Sequence, residues 1–409
     1  MKKFKPLIVV AVIVVIIAII TACVAKEENG RSSKDTNKQT EETTTETTTE
    51  AAKSITLVAV GDVLNHNPVL EMASNGDGTY DFSNLFVNMK DTISKADIAV
   101  VNNETIIGGA DQGIQGGSPY LIFNSPDELA DNIIDAGFDL VLQASNHSDD
   151  MGSAGIRHCI ELWKSKSDKI KMIGLNESQE ERDTISYMEV GGIKLAVLNY
   201  TYGLNGFVLP EGQDYLVDQM TDETFEQVKA DIQKADAEAD FVIVFPHWGT
   251  EYVVGDATQA QIDWGQMFTE AGADLIIGTH PHVSEKIEKI TASNGNEALC
   301  YYSLGNFTSN QAYLDDINAA YSQVEGMAVV KITKDANGTH IDYDGNTGVV
   351  PVVCHNDRVN GPNITAYKLS DYTSDLCSIH ATARQGYTFN LDWLNQTASD
   401  IFGEWIIDY

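Results

Sequence analysis

Polar residues of metal-binding types follow the apolar runs of this chain. Four runs share an Ala-Asp or Phe-Asp pair, an apolar stretch and a polar cluster: ADIAVVNNET, FDLVLQASNH, ADFVIVFPHWGTEY and ADLIIGTHPHV. A fifth run, SITLVAVGDVLNH, lacks the leading pair. The candidate ligands at their ends are Asp62, His66, Glu104, Asn146, His147, His247, His280 and His282. Carboxylate, amide and imidazole ligands together suit Mn, Fe, Zn or Co, so the pattern predicts a transition-metal site.

The number of candidates favours two divalent ions, because one tetrahedral ion needs only about four ligands. Glu104 is a carboxylate that can bridge the two ions. Such a pair, about 3.5–4 Å apart, would activate a water molecule and bind an anion undergoing attack. His147 either supplies a ligand nitrogen or acts as the general acid of that reaction.

Three further polar residues are expected around the metals. Asp150, in the cluster SNHSDDMG, is better placed to orient His147 than to bind metal directly. Glu251 of HWGTEY is expected as an outer partner or weak ligand, and Asn306 of YSLGNF as a residue that lines the pocket. Residues 108–117 and 120–124 form either a loop on the substrate side of the site or a solvated surface loop.

The elements that position these side chains are strands alternating with helices. Unbroken apolar runs indicate strands buried on both faces. Helical patterns occupy 125–136, 153–166, 222–237 and 259–271, and further strands are predicted at 194–199, 298–304 and 326–333. The alternation predicts an α/β fold of layered type. Because ligands bind outside the carboxyl ends of strands in such folds, five strands would deliver the candidate ligands to one edge.

The charge balance excludes some classes of partner. The 409 residues carry a formal net charge of -34. Nucleic-acid binding is therefore not expected, since a binding face must neutralise phosphates with Lys and Arg. Electrostatic attraction to anionic lipid is disfavoured for the same reason. A polyanionic substrate would be repelled except where a metal ion inverts the local field.

The N-terminal segment has the features of a bacterial lipoprotein signal peptide. Residues 1–22 combine three lysines with a long apolar stretch, and Ile20-Thr21-Ala22-Cys23 resembles a lipobox whose Cys23 is acylated. A single transmembrane anchor is the alternative. Either way the body of the protein is expected outside the cytoplasm, and the lipoprotein interpretation places it, lipid-anchored, on the extracytoplasmic face of the membrane. Residues 23–53 are rich in Thr and Glu and are expected to form a disordered tether.

The rest of the chain is divided into a main domain, 54–340, and a β-rich C-terminal extension, 341–409, packed on the same domain. Cys354 and Cys377 lie in the extension, and their spacing leaves open whether they form a disulfide. No C-x-x-C pair occurs, which disfavours a thiolate zinc site.

The ordered motifs GDVLNH, NNET, SNHSDDMG, HWGTEY, GTHPHV and YSLGNF resemble those of the CapA-type poly-γ-glutamate capsule proteins, a family similar to the calcineurin-like metallophosphoesterases. The resemblance covers residues 54–310 and implies a four-layer αββα sandwich with the metal site at one sheet edge. It implies metal coordination by Asp62, Glu104, Asn146, His247, His280 and His282, with His147 assisting the chemistry.

Two departures from the broader phosphoesterase pattern bear on function. Asp62 and His66 are four residues apart, where that pattern has a spacing of two, so His66 fits least well as a ligand. Glu104 stands where phosphoesterases usually have Gly-Asp, which argues against generic phosphodiesterase activity.

The resemblance implies an exported, metal-dependent hydrolase or transferase acting on poly-γ-glutamate or another anionic polymer of the cell envelope. The alternative is a non-catalytic scaffold or export factor in a polymer synthase complex. A general phosphodiesterase is a third interpretation.

Overall fold

The computed structural model describes residues 52–313 and 318–409. The predicted signal peptide, Cys23 and nearly all of the predicted tether lie outside the described residues. In these ranges no helix is long and apolar enough to cross a membrane.

The strands are β1 Lys53–Val63, β2 Ile98–Asn103, β3 Gln115–Gly116, β4 Phe123–Asn124, β5 Leu140–Leu142, β6 Lys171–Ile173, β7 Ser186–Val190, β8 Ile193–Thr201, β9 Phe241–His247, β10 Leu275–Ile277, β11 Ile287–Thr291, β12 Glu297–Tyr301, β13 Asn306–Thr308, β14 Val324–Asp335, β15 Gly338–Ile341, β16 Gly348–Asp357 and β17 Asn363–Lys368.

The helices are α1 Asn67–Ala73, α2 Lys90–Ile93, α3 Glu128–Asp135, α4 Gly152–Lys164, α5 Gln179–Arg182, α6 Phe225–Glu238, α7 Gln259–Ala271, α8 Asn318–Tyr321, α9 Ser374–Ile379, α10 Ala381–Arg384 and α11 Leu391–Phe402. The four predicted helical segments correspond to α3, α4, α6 and α7 to within a few residues at their ends, and seven further helices in the described ranges were not predicted. Helix α7 shows why its bounds were predictable. Thr258 and Gln261 form a capping box at its start, and Gly272 ends it with a φ of 113°.

Two large sheets form the centre of the fold. The first has the strand order β17-β16-β14-β1-β2-β5-β6, with β13 paired to β1 and β15 to β14. The second has the order β11-β12-β10-β9-β8-β7. Strands β1, β2, β5 and β6 run parallel, as do β8, β9, β10 and β12. Each sheet therefore gathers the carboxyl ends of four strands at one edge.

Successive residues of a strand belong to different hydrophobic cores. Val58 of β1 packs in a cluster with apolar residues of α3 and α4, whereas its neighbour Leu57 packs against the inner face of the second sheet. A third cluster joins the outer face of the second sheet, including Val242, to α6 and α7. The order helix, sheet, sheet, helix confirms the predicted four-layer αββα sandwich.

The C-terminal segment continues the first sheet. Strand β16 pairs with β14 along Val324–Val329, and β17 pairs with β16. Three helices, α9 to α11, follow these strands. The four cysteines in the described part of the chain, Cys159, Cys300, Cys354 and Cys377, are buried free thiols, so Cys354 and Cys377 are not bridged.

Candidate metal centre

The candidate ligands come from the carboxyl ends of strands in both sheets. Asp62 lies near the end of β1, Glu104 follows β2, and His247 ends β9. His280 and His282 lie in the segment after β10. All five side chains are buried, with at most 3% of each residue exposed. The parallel strands of the two sheets thus bring together residues that are far apart in the chain.

These five residues form two groups that share one carboxylate. Glu104, His247 and His280 place one ligand atom each within 4.8 Å of one another, and so do Asp62, Glu104 and His282. Oε1 of Glu104 lies 3.7 Å from Nε2 of His247, and its Oε2 lies 3.8 Å from Nδ1 of His282. Two triads that meet at a carboxylate are the arrangement expected of a dinuclear site.

Buried atoms without partners test whether a metal fits here. Both carboxylate oxygens of Glu104 and Nδ1 of His280 are buried and make no hydrogen bond with the described residues. Such atoms are costly to bury unless an ion or a proton satisfies them. Three imidazoles and two carboxylates are also a suitable ligand set for divalent transition metals, so these residues fit such a metal centre.

Burial shifts the pKa values of one carboxyl group and two imidazoles in the triads toward their neutral forms. Burial raises the pKa of Glu104 well above its usual value, and Asp62 adds to this effect while His282 opposes it. Burial also lowers the pKa of His247 and of His280 well below the usual range, and the other histidines lower both further. Neutral imidazoles have the free lone pair that metal coordination requires.

Hydrogen bonds hold the His247 ring in one orientation. Its Nδ1 lies 3.0 Å from Oγ1 of Thr279 and 3.5 Å from Nδ2 of Asn102, while its Nε2 lies 2.9 Å from Oδ1 of Asn146. Nε2 is the nitrogen that faces Glu104. Asn146 and Glu104 therefore each place an oxygen beside the nitrogen that would face an ion. Thr279, at the opposite ring nitrogen, is an outer partner of the kind that orients metal-binding imidazoles.

The GTHPHV segment adopts an unusual backbone conformation. His280 has a φ of 100° and His282 a φ of 59°, values that non-glycine residues rarely adopt. Each imidazole contributes to a different triad. The backbone N–H of His280 donates to Oδ2 of Asp62 at 3.2 Å, which links the segment to the other sheet. Strain of this kind is retained where surrounding structure holds a functional site.

His147 forms a dyad with Asp150 beside the triads. Its Nδ1 lies 2.8 Å from Oδ2 of Asp150, which also accepts a hydrogen bond from the backbone N–H of Phe123 at 2.7 Å. Nδ2 of Asn205 approaches Nδ1 of His147 at 3.4 Å. Nε2 of His147 has no hydrogen-bond partner among the described residues and is not a buried atom, so it can face a substrate. The carboxylate orients the ring as the sequence predicts for a residue that transfers protons.

The remaining predicted residues lie at different distances from the triads. Asn306 places its Oδ1 3.1 Å from Nδ1 of His282, so it contacts the second triad directly. Glu251 is exposed and influences Glu104 and His282 electrostatically. His66 was predicted as a ligand but belongs to neither triad. Its Nδ1 accepts a hydrogen bond from the backbone N–H of Asn310 at 3.2 Å.

Several residues around the centre were not singled out from sequence. Asn102 donates to Oδ1 of Asp62 at 2.7 Å and contacts His247. The ring of Tyr202 lies 4.6 Å from that of His280, and Asn205 accepts a hydrogen bond from Asn146. Asn102 belongs to the motif VNNET and Thr279 belongs to the motif GTHPHV. Their membership of these motifs could have identified both residues from the sequence. Tyr202 and Asn205 lie outside the motifs and carry no such signal.

Comparisons with known proteins place the chain in a family. It is 24% identical to a capsule biosynthesis protein CapA of Bacillus anthracis over 71% of this chain and 66% of that protein. It is 30% identical to a PGA biosynthesis protein CapA of Bacillus subtilis over 54% of this chain and 52% of that protein. The matches thus span about half to two thirds of the relatives' length.

Solved structures with a similar arrangement include a putative 5'-nucleotidase from Staphylococcus aureus. It is 13% identical, with a TM-score of 0.42, over 85% of this chain and 58% of that one. A family model described as bacterial capsule synthesis protein PGA_cap matches residues 56–311, more than half of the chain. The chain therefore belongs to the PGA_cap family of bacterial capsule synthesis proteins.

Proposed function

We propose that this protein acts in the synthesis of a poly-γ-glutamate capsule or a similar anionic exopolymer, as a dinuclear metal-dependent hydrolase or transferase. The observation that carries the proposal is Glu104, whose two buried and unpartnered oxygens are shared between two triads. The names of the two relatives support the capsule role, since both are capsule or PGA biosynthesis proteins. Two ions of Mn, Fe, Zn or Co would supply Lewis acidity and activate a water molecule.

Different residues of this chain would have separate roles in cleaving an amide or ester bond or in transferring the released group. Asp62 and His282 would hold one ion and His247 and His280 the other, and the Glu104 carboxylate belongs to both groups of residues. His147 donates a proton to the leaving group, and Asp150 holds its ring in the required orientation. The triad residues are buried, and a low-dielectric environment strengthens electrostatic interactions of this kind.

The proposed function also includes a location for the protein. The N-terminal pattern ending at Cys23 supports a lipid anchor on the extracytoplasmic face of the membrane, where a capsule polymer is processed. The ions would offset the repulsion between a protein of net charge -34 and an anionic polymer. A complex with a polymer synthase is compatible with this position.

Metal content of the purified full-length chain tests the proposal. We expect about two equivalents in the wild type, as for a two-metal site. Asp62→Ala and His280→Ala each remove a ligand of one triad only, so each should lose about one equivalent, and Glu104→Ala should lose both. His158→Ala is the control, because His158 pairs with Asp127 away from the triads. A wild type that takes up no Mn, Zn or Fe would contradict the proposal.

A second measurement separates an enzyme from a scaffold. His147→Ala should retain both ions, because His147 belongs to neither triad. If the protein is an enzyme, this variant loses the cleavage or transfer of poly-γ-glutamate and the capsule phenotype. Normal capsule formation by the His147→Ala strain would favour a scaffold.

A further inference from the structure

His66 shares an aromatic neighbour with the His147 dyad. His66 lies at the start of α1 and is partly buried. Its ring packs edge-on against Phe123, with centroids 5.2 Å apart, and the same Phe123 ring packs against His147 at 4.7 Å. The two imidazoles therefore border one small region beside the triads, although His66 contributes to neither of them.

The contacts of Nδ1 determine which nitrogen of His66 carries the proton. The backbone N–H of Asn310 donates to Nδ1 at 3.2 Å, and it has no other acceptor among the described residues. The carbonyl of Leu64 also lies 3.3 Å from Nδ1, but it has a donor without the ring, because it accepts from the backbone N–H of His66 at 3.1 Å. A proton on Nδ1 would face the Asn310 N–H and leave that donor unsatisfied. The neutral ring therefore carries its proton on Nε2.

The other side of the ring is open. Nε2 has no hydrogen-bond partner among the described residues and is not among their buried unpartnered atoms, so it reaches solvent. Burial and the nearby His282 lower the pKa of His66 to about 3, which is consistent with a neutral ring. A neutral imidazole with a solvent-facing Nε2–H is a fixed hydrogen-bond donor, whereas a metal ligand at Nε2 would need a lone pair there.

The C-terminal segment holds Asn310 in place. Oδ1 of Asn310 accepts hydrogen bonds from Nδ2 of Asn356, at 3.1 Å, and from Nη2 of Arg358, at 3.4 Å. Asn356 lies on β16, beyond residue 311 where the family match ends. A part of the chain outside the matched region thus contacts the residue whose N–H donates to His66.

We propose that His66 is a substrate-binding hydrogen-bond donor and not a metal ligand. Its Nε2–H would donate to an oxygen of the substrate held between the triads and His147, either the carbonyl under attack or a neighbouring carboxylate. Asn310 is the positioning residue that selects this tautomer. The inference rests on the proposed function for the presence of a substrate, but the tautomer and the lack of metal coordination do not depend on it.

Variants of the full-length chain distinguish a donor from a ligand. His66→Gln keeps an N–H near the position of Nε2, whereas His66→Leu removes it. Both should bind as much metal as the wild type. With poly-γ-glutamate as the substrate, we expect kcat/KM to fall about 10- to 100-fold in His66→Leu and to recover at least partly in His66→Gln. Loss of a metal equivalent from His66→Leu, or an unchanged kcat/KM, would overturn the assignment.

A spectroscopic measurement tests the tautomer of His66 without requiring enzymatic activity. Long-range ¹H–¹⁵N spectra of the histidine-labelled chain should show His66 as the Nε2–H tautomer, with its signals assigned by their loss in His66→Gln. Asn356→Ala should shift these signals, since it loosens Asn310. A proton on Nδ1 would contradict the proposal. If the wild type does not act on the polymer, the proposed function fails, and the tautomer and metal content still decide the assignment of His66.

Discussion

Oε1 of Glu104 lies 3.7 Å from Nε2 of His247, and no described residue donates a hydrogen bond to that oxygen. The two residues lie at the carboxyl ends of strands in different sheets, so the contact joins the two halves of the sandwich at the edge where the triads lie. A cation between them would stabilise the folded state, because the unfolded chain does not form such a site.

Glu104→Gln is therefore expected to abolish the stabilisation of the fold by metal. At a free metal concentration of about 100 times Kd, the wild type should gain about 2.7 kcal/mol in the free energy of unfolding per site, and the variant much less. Thermal unfolding with and without a chelator measures the difference. Glu251→Gln is the matched control, since Glu251 is exposed and belongs to neither triad. An equal gain in Glu104→Gln would show that the carboxylate does not bind metal.

The metal-free protein should lose stability as the pH rises above neutrality. Burial opposes the charged form of His282, but Glu104 and Asp62 outweigh it and raise its pKa to about 9. Because the folded pKa exceeds the unfolded value of about 6.5, this contribution is complete below about pH 6.5 and is lost as the pH rises through 9. The loss is at most about 3 kcal/mol. Melting temperatures of the metal-free protein, measured with a chelator present at pH 6.5 and 9.5, test this loss of stability.

Two comparisons make the pH experiment specific. His282→Gln should reduce this pH dependence, since one titrating group is gone, and Glu104, whose pKa burial raises, would account for the remainder. Saturating metal should also flatten the profile, because the ion replaces the proton on His282. A pH dependence that is undiminished in His282→Gln would point to another group.

The carboxylate of Asp150 is expected to matter for turnover and not for metal binding. Asp150→Asn removes the acceptor that orients His147 at 2.8 Å, so kcat on poly-γ-glutamate should fall about 10²-fold or more while the metal content stays the same. Asp149→Asn is a close control, because Asp149 is also buried but makes no hydrogen bond to His147. Equal effects of the two substitutions would argue against the dyad.

Close backbone packing at Gly61 is expected to be essential for the position of Asp62. A Cβ at Gly61 would collide with the carbonyl oxygen of Gly305, which accepts the hydrogen bond from the backbone N–H of Asp62 at 2.9 Å. Gly61→Ala should lower the free energy of unfolding by about 1–3 kcal/mol and weaken metal binding. Gly203→Ala serves for comparison, since no atom lies within 4 Å of a Cβ there. Denaturant titration and metal titration of both variants give the result.

Much of the fold was predictable because it depends on local patterns. The apolar run of β9 and the capping box of α7 are encoded by residues adjacent in the chain, and they determined where these elements begin and end. The strand ends also indicated which side chains come together at one edge, since parallel strands place their carboxyl ends together. The residue types at those ends then indicated the class of metal.

The sequence by itself therefore determined the layered α/β architecture, the identity of the candidate ligands and their common edge. Only the tertiary structure decided that Glu104 belongs to two triads, that His280 and His282 separate into different triads, and that His66 lies outside both. These features depend on ring orientations and on hydrogen bonds between residues distant in the chain, such as Asn310 with His66. No periodicity or spacing encodes such contacts, because they form only when the two sheets pack together.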